Sequence, residues 1–370
     1  MKLAAEQKLR AYADRIKIAN QCLMTLQIDL TDYCVCKCKG CDHWKWPVKT
    51  KIDKNILLKN VLPYLEYFDS LQSIVFSGGE PLLYPEIESV VRELKQVHGL
   101  NIGIITSGLA CASLDWESLS GDCSWIRFST DGFTAENYAK TRGVDMFEQW
   151  TNNLKTLLKE NEKTQCKTRL NVTIHDYNKC NFADNLVDFL IENDIDTEIY
   201  FWLSRDIINK LHSFYGPNED YKTNLMIIIS LEMSKIFGHP KSATLQLDKK
   251  INLDNVYKHY DTLINYEYHS CYIPKIFGLI ASDGNVFPCC YMYEPVFSID
   301  NQQTKFVIGN INENNLRQIY ESDKYLEVLD AFMNCDKKFS QCKFCDRFDH
   351  INAYLNHYQV VDAANNPIFL

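Results

Sequence analysis

No secretory signal opens the 370-residue chain: its first ten residues, Met1 to Arg10, are amphipathic and charged, with no apolar core. A long hydrophobic run is also missing, since the most apolar stretch, Leu225 to Leu231, is far too short to span a bilayer. Basic residues are not in excess. Lys and Arg number 39 against 48 Asp and Glu, a net charge of −9, which argues against binding driven by a nucleic-acid backbone. No internal repeat, low-complexity tract or Gly/Ser-rich linker divides the chain. The absences together lead us to expect a cytoplasmic protein with neither membrane nor nucleic-acid partners.

Cysteine, by contrast, is plentiful. Fifteen cysteines without a signal sequence point to reduced thiols and metal binding, not to disulfides. With 46% hydrophobic and 24% charged residues, the chain can bury one large domain and a smaller one. Cys34, Cys38 and Cys41 form a C-x3-C-x2-C triplet, so three thiols can reach one metal centre from a single loop at small closure cost. Thiolates favour iron–sulfur clusters, zinc or Cu(I). A four-iron cluster normally takes four cysteines, so three would leave one iron open. A zinc loop is the alternative reading. Cys36 lies inside the loop and has no partner at matching spacing.

Periodicity predicts a leading helix over 3–20, then strands over 22–30, 73–77, 101–106, 125–129, 168–174 and 198–203. Helices are predicted between them over 53–68, 85–98, 113–120, 134–162 and 182–193. Six strands alternating with helices imply right-handed crossovers and a parallel sheet. The expected fold is therefore α/β, a partial (β/α)6 TIM-like barrel with ligands at the C-terminal strand ends. The polar motifs fall at those ends: the cysteine loop, Gly78-Gly79-Glu80-Pro81, Thr106-Ser107-Gly108 and Ser129-Thr130-Asp131-Gly132.

The triplet and the Gly78-Gly79-Glu80-Pro81 motif together resemble the radical S-adenosylmethionine (SAM) superfamily. The resemblance implies that the open iron is chelated by the methionine part of SAM, and that an electron cleaves SAM to methionine and a 5′-deoxyadenosyl radical. It implies cofactor-binding roles for Gly78, Gly79, Glu80, Ser129 and Arg142. Arg142 also reads as an ordinary surface arginine. The sequence departs from the family at Gly40, where an aromatic residue beside the adenine is usual, so adenine contacts are expected from Asp42-His43-Trp44 or from backbone.

Between residues 204 and 270 the rhythm stops, and tyrosines (Tyr215, Tyr221, Tyr257, Tyr260, Tyr266, Tyr268) accumulate. A helix is predicted over 221–237, within a bridging insertion or a plain helical linker. Beyond it, Cys271, Cys289 and the Cys342-Lys343-Phe344-Cys345 pair surround a hairpin signal, Asp283-Gly284-Asn285. Such a set closes a four-sulfur site, for zinc or for a cluster. This stretch resembles the SPASM/twitch extensions of radical SAM enzymes. That resemblance implies one auxiliary [4Fe–4S] cluster on Cys271, Cys289, Cys342 and Cys345, making two [4Fe–4S] clusters with SAM as cofactors. Cys335 is left unassigned. Cys290, left over beside Cys289, is a candidate hydrogen-atom donor or a small buried hydrophobe.

The expected organisation is a helix over 1–21, a barrel over 22–203, the insertion over 204–270, an auxiliary-cluster domain over 271–346 and a tail over 347–370. The expected function is a radical SAM oxidoreductase or peptide-modifying enzyme acting by hydrogen-atom abstraction. Its substrate would be a ribosomally made peptide, with a small polar metabolite such as a sugar or aminocyclitol, or a non-catalytic metal protein, as alternatives. About twenty residues precede the first strand, so a leader-peptide-binding protein is expected as a separate chain, and a reductant such as flavodoxin or ferredoxin as a partner.

Overall fold

Hydrophobic alternation builds the nine-stranded sheet found among the described residues. A computed structural model of the chain describes residues 13, 16, 19, 21–41, 43–46, 48–109, 114–175, 181–203, 233–241, 245–246, 250–251, 270–293 and 306–334. Its strands are β1 (Thr25–Thr31), β2 (Ser73–Gly78), β3 (Asn101–Thr106), β4 (Trp125–Thr130), β5 (Lys167–Ile174), β6 (Glu198–Leu203), β7 (Phe277–Ile280), β8 (Asn285–Phe287) and β9 (Gly309–Asn310). They lie in the order β6-β5-β4-β3-β2-β1-β7-β8-β9. Neighbours from β6 through β1 to β7 are parallel, and β8 and β9 are antiparallel. This is the expected partial barrel, with the C-terminal region added to the free side of β1. Thr25 to Ile28 pair in register with Phe277 to Ile280.

One face of the barrel strands packs on helices. Phe128 lies 5.7 Å from Trp116 of helix Trp116–Asp122, and Phe201 lies 6.2 Å from Phe182 of helix Phe182–Glu192. Leu26, Ile28, Ile74, Phe76, Ile102, Ile104, Ile126 and Phe128 are fully buried. Each such side chain contributes about 1.5–3 kcal/mol. Because side chains alternate across a strand, Arg127, Ser129, Arg169, Asn171, Tyr200 and Trp202 share the opposite, concave face. That face is polar.

Local chemistry explains where the helices begin and end. The Asp115 and Thr134 side chains accept the Ser118 and Asn137 N–H groups, capping helices Trp116–Asp122 and Ala135–Arg142. The continuous helix expected over 134–162 is two helices, Ala135–Arg142 and Phe147–Asn161. Gly143 ends the first of them with φ +70°. The segment expected as one helix over 53–68 is helical but mixed: α over Lys54–Ile56, π over Leu57–Val61 and 3₁₀ over Leu62–Tyr67. Pro63 is the cause, because it lacks the N–H that would continue the i→i−4 ladder.

The Asp283-Gly284-Asn285 hairpin forms as expected between β7 and β8, with Gly284 at φ +88° and the Asn285 N–H donating to Asp283 Oδ1 at 2.9 Å. Helices Leu316–Tyr320 and Asp323–Met333 follow β9. Of the expected leading helix, Ala13 and Ile16 are helical and buried, and of the expected 221–237 helix, residues 233–237 are helical. Ala19, expected at the end of the leading helix, lies in a bend, and the rest of both lies outside the described residues.

Candidate cluster and SAM site

The loop after β1 is pinned by its neighbours' backbone. Lys37 N–H donates to Arg142 O at 2.8 Å, Lys39 N–H to Thr141 O at 3.1 Å, and Trp44 Nε1 to Cys38 O at 3.0 Å. A Cβ at Gly143 would stand 2.6 Å from Lys37 O, so glycine is needed there for close approach as well as for its positive φ. Cys34, Cys38 and Cys41 are partly exposed, whereas Cys36 is buried. Hydrogen bonding to Cys34, then burial, pushes the Cys36 thiol up to about 11, and its bond with Cys36 followed by burial pushes Cys38 higher still. Among the described residues, no set of three His, Cys, Asp or Glu side chains stands ready to hold a metal ion. The donor set itself, three soft sulfurs on one short segment, fits an iron–sulfur cluster with one iron open.

The Gly78-Gly79-Glu80 turn ends β2 against this loop, with Gly79 N–H bonded to Thr31 O and Glu80 N–H to Tyr33 O, both at 2.8 Å. Glu80 is fully buried. Its Oε1 accepts from Leu82 N–H at 3.0 Å and Thr106 Oγ1 at 2.6 Å, and its Oε2 accepts from Ser107 N–H at 2.6 Å and from Ser107 Oγ. Burial pushes the carboxyl up, and the four donors pull against it. All four acceptor positions of the carboxylate are occupied. Glu80 therefore joins the ends of β2 and β3, and the expected bond to the SAM ammonium has no lone pair left for it in this arrangement.

Arg142 is buried and not a surface arginine. Its Nη1 lies 3.3 Å from Asp131 Oδ2, while Thr173 N–H donates to Asp131 Oδ1 at 3.2 Å. Burial acts to raise the Asp131 carboxyl, but its bond with His175 and the Arg142 charge outweigh burial and hold it below its ordinary range. Ser129 precedes Asp131 by two residues, on β4, partly buried and in register with Asn171.

His175 was not singled out in the sequence. It lies at the mouth end of β5, buried, with Nε2 3.8 Å from Asp131 Oδ2. Its ring covers Gly40, where a Cβ would stand 3.0 Å from Cε1. The space left by the missing aromatic side chain is thus filled from another strand. A polar residue ending a barrel strand was the available signal. His43 stacks on Trp46 with centroids 4.6 Å apart, while Asp42 lies outside the described residues.

Asp32 was also missed. It is buried just before the cysteine loop, accepting from Thr50 Oγ1 at 2.8 Å and from Tyr293 OH at 3.2 Å. Thr50 Oγ1 also bonds Ser282 Oγ at 2.6 Å, and Tyr293 meets Trp46 edge-on at 5.0 Å. The cysteine loop is thus tied to the C-terminal region by buried polar and aromatic contacts.

In that region Cys271, Cys289 and Cys290 are all buried, and Cys271 N–H donates to Phe332 O at 3.0 Å. Cys335, Cys342 and Cys345 lie outside the described residues. Strand alternation would have put Cys290 opposite Cys289, but β8 ends at Phe287 and Cys290 begins a 3₁₀ turn, Cys290–Met292. Strand alternation therefore does not aim the Cys290 thiol at the barrel mouth, as a hydrogen donor to a substrate there would require.

A parallel partial barrel with a three-cysteine loop and a Gly-Gly-Glu turn at adjacent strand ends defines a class. The radical SAM superfamily profile matches residues 28–186, and that of SPASM, an iron–sulfur cluster-binding domain, matches residues 271–347. The chain carries a radical SAM domain followed by a SPASM domain, a pairing that indicates an enzyme. The two families imply [4Fe–4S] clusters with SAM.

Among curated relatives, GTP 3′,8-cyclase of Lactiplantibacillus plantarum is 29% identical over 122 residues, 32% of this chain and 37% of that protein. The chain thus matches little more than a third of that relative's length. The tungsten-containing aldehyde ferredoxin oxidoreductase cofactor-modifying protein of Pyrococcus furiosus is 22% identical over 340 residues, 88% of this chain and 87% of that protein. Among solved structures, Streptococcus suis SuiB bound to S-adenosylmethionine superposes with TM-score 0.57 at 15% identity, covering 96% of this chain and 80% of SuiB. SuiB bound to precursor peptide SuiA gives 0.55 at 16% identity, covering 95% and 76%. The anSMEcpe structure with AdoMet and Cp18Cys peptide gives 0.54 at 19% identity, covering 88% and 87%. The likeness to these structures is one of fold.

Proposed function

We propose that the protein cleaves SAM reductively at a cluster held by Cys34, Cys38 and Cys41, and abstracts a hydrogen atom from a ribosomally made peptide. The single observation that carries this reading is spatial. The cysteine loop, the Gly78-Gly79-Glu80 turn and the Asp131–Arg142 pair meet at the C-terminal ends of β1, β2 and β4 and are joined by direct hydrogen bonds. When bound, the cluster supplies the electron that breaks the SAM carbon–sulfur bond. The chain's part is placement. Glu80 fixes the turn whose backbone faces the loop, Arg142 and Ser129 offer donors toward SAM, and the concave wall of β4 to β6 receives the substrate.

A second set, Cys271, Cys289, Cys342 and Cys345, would hold one auxiliary cluster, acting in electron transfer or as a clamp. Cys290 remains a candidate hydrogen donor, with flavodoxin or ferredoxin as reductant and a separate leader-binding chain as partner. The peptide reading is supported by the peptide-bound structures this fold is similar to. A second reading, action on a small polar metabolite or cofactor, is supported by the alignment to the cofactor-modifying relative over most of both chains.

The test is anaerobic reconstitution with SAM, dithionite and candidate peptides. Formation of 5′-deoxyadenosine with a mass change in a peptide is expected. Absence of 5′-deoxyadenosine from a cluster-loaded, SAM-bound protein would reject the reading.

A further inference from the structure

The concave wall of β4, β5 and β6 carries polar groups that SAM chemistry does not require. Arg127 and Arg169 are register partners, and Arg169 is opposite Glu198. One row nearer the mouth, Ser129, Asn171 and Tyr200 are aligned. Arg169 is only 6% exposed. Its Nε donates to Glu198 Oε2 at 2.8 Å, and its guanidinium lies 5.2 Å from the Tyr200 ring. Arg127 lies 4.4 Å from the Trp125 ring and 5.1 Å from that of Tyr200, so two cations share one aromatic floor.

On β5, two buried atoms of this wall have no hydrogen-bond partner among the described residues: the donor Arg169 Nη1 and the acceptor Asn171 Oδ1. Burying unsatisfied polar groups is costly. A barrel interior built for stability is filled with branched apolar side chains instead. Stability therefore does not account for this wall, and a ligand would.

We propose that Arg169, with Arg127 beside it, binds a substrate carboxylate, and that Asn171 accepts a hydrogen bond from a donor on the same substrate. A guanidinium matches a carboxylate in charge and in fork geometry. Glu198 on the same guanidinium opposes a dianion such as phosphate and leaves a single carboxylate as the fitting charge. Arg169 and Asn171 are two positions apart on one strand, about 6.5 Å along it. That spacing suits an acidic side chain and a neighbouring amide N–H of a peptide, or the carboxylate and a hydroxyl of a sugar acid. The inference rests on the radical SAM reading only in taking this wall as the substrate side of the barrel.

The test titrates the reconstituted, SAM-bound protein with four probes and follows tryptophan fluorescence, since Trp125 and Trp202 lie on this wall. The probes are N-acetyl-Gly-Glu-Gly-amide, its Gln counterpart, glucuronate and glucose. The carboxylate member of at least one pair is expected to bind tighter by about tenfold or more. A preference within the peptide pair identifies an acidic peptide, and one confined to the sugar pair identifies a small acid. Arg169→Gln should abolish the preference, and Arg169→Lys should restore part of it. If Arg169→Gln does not fold, the wild-type pairs and Arg169→Lys still decide. No preference in either pair, including no binding of any probe, overturns the proposal, as does an undiminished preference in Arg169→Gln. SAM cleavage measured on the same preparation separates the two ideas. Its absence beside an intact carboxylate preference would reject the radical reading and leave this site standing.

Discussion

Glu80 joins the ends of two strands through one carboxylate, so its removal acts on stability before it acts on SAM. Glu80→Ala orphans buried donors on Leu82, Thr106 and Ser107, at about 1–3 kcal/mol each. A loss of about 3–5 kcal/mol is expected in denaturant unfolding of the cluster-free protein. Glu80→Gln, which keeps one carbonyl oxygen, should lose roughly half of that. SAM affinity of the folded Glu80→Gln variant should fall less than its stability suggests. Asp131 offers a pH test. Its carboxyl is held below its ordinary value of 3.8 in the fold, so it contributes stability that is complete above about pH 4 and is lost as pH falls through the folded value. Asp131→Asn should therefore flatten the acid limb of the stability curve below pH 4 and lower the plateau above it. The motif residues were legible because their types and spacing carry chemistry. Asp32 and His175 were not, since a lone acid or histidine gains its meaning from partners such as Tyr293 and Gly40, far away in the chain.

The six barrel strands were legible as elements, because apolar residues buried against helices alternate with polar ones facing inward. Strand starts such as Asn101 and Glu198 coincide with expectation for that reason. What periodicity missed was interruption. Leu154 and Leu157 continue the apolar stripe past Gly143, so a pattern-based reading runs through the break between helices Ala135–Arg142 and Phe147–Asn161. The break has a purpose, because it seats the cysteine loop on Gly143. Gly143→Ala meets both a positive φ and the Lys37 carbonyl, so it should reduce iron incorporation as well as thermal stability. Thr134→Ala, which removes only a cap from the same helix, should cost about 1 kcal/mol with iron content unchanged. Iron analysis and thermal melts of the two variants separate loop seating from helix stability.

At the scale of the molecule, the C-terminal region proves to be part of the barrel sheet. Its Asp283-Gly284-Asn285 turn, flanked by apolar residues, was legible as a hairpin, of which Phe277–Ile280 forms one arm. Nothing in its pattern said that its other side pairs with β1, because partner choice in a sheet depends on side chains distant in sequence. Two sets of cysteines should still load independently. Replacing Cys34, Cys38 and Cys41 by Ala is expected to reduce iron after anaerobic reconstitution from about eight atoms per chain to about four. Unchanged iron in that variant would reject the ligand assignment.

The pairing of β1 with β7 also has a consequence in time. The first barrel strand to leave the ribosome borders one that is translated some 250 residues later. At about 5–20 residues per second, β1 waits on the order of ten to fifty seconds for that neighbour. Through that interval one side of the strand bearing the cysteine loop has open N–H and C=O groups, and Leu26 and Ile28 lack their final cover. Newly made chains are then most open to chaperone capture, and iron supplied to the loop before β7 arrives meets a half-finished seat.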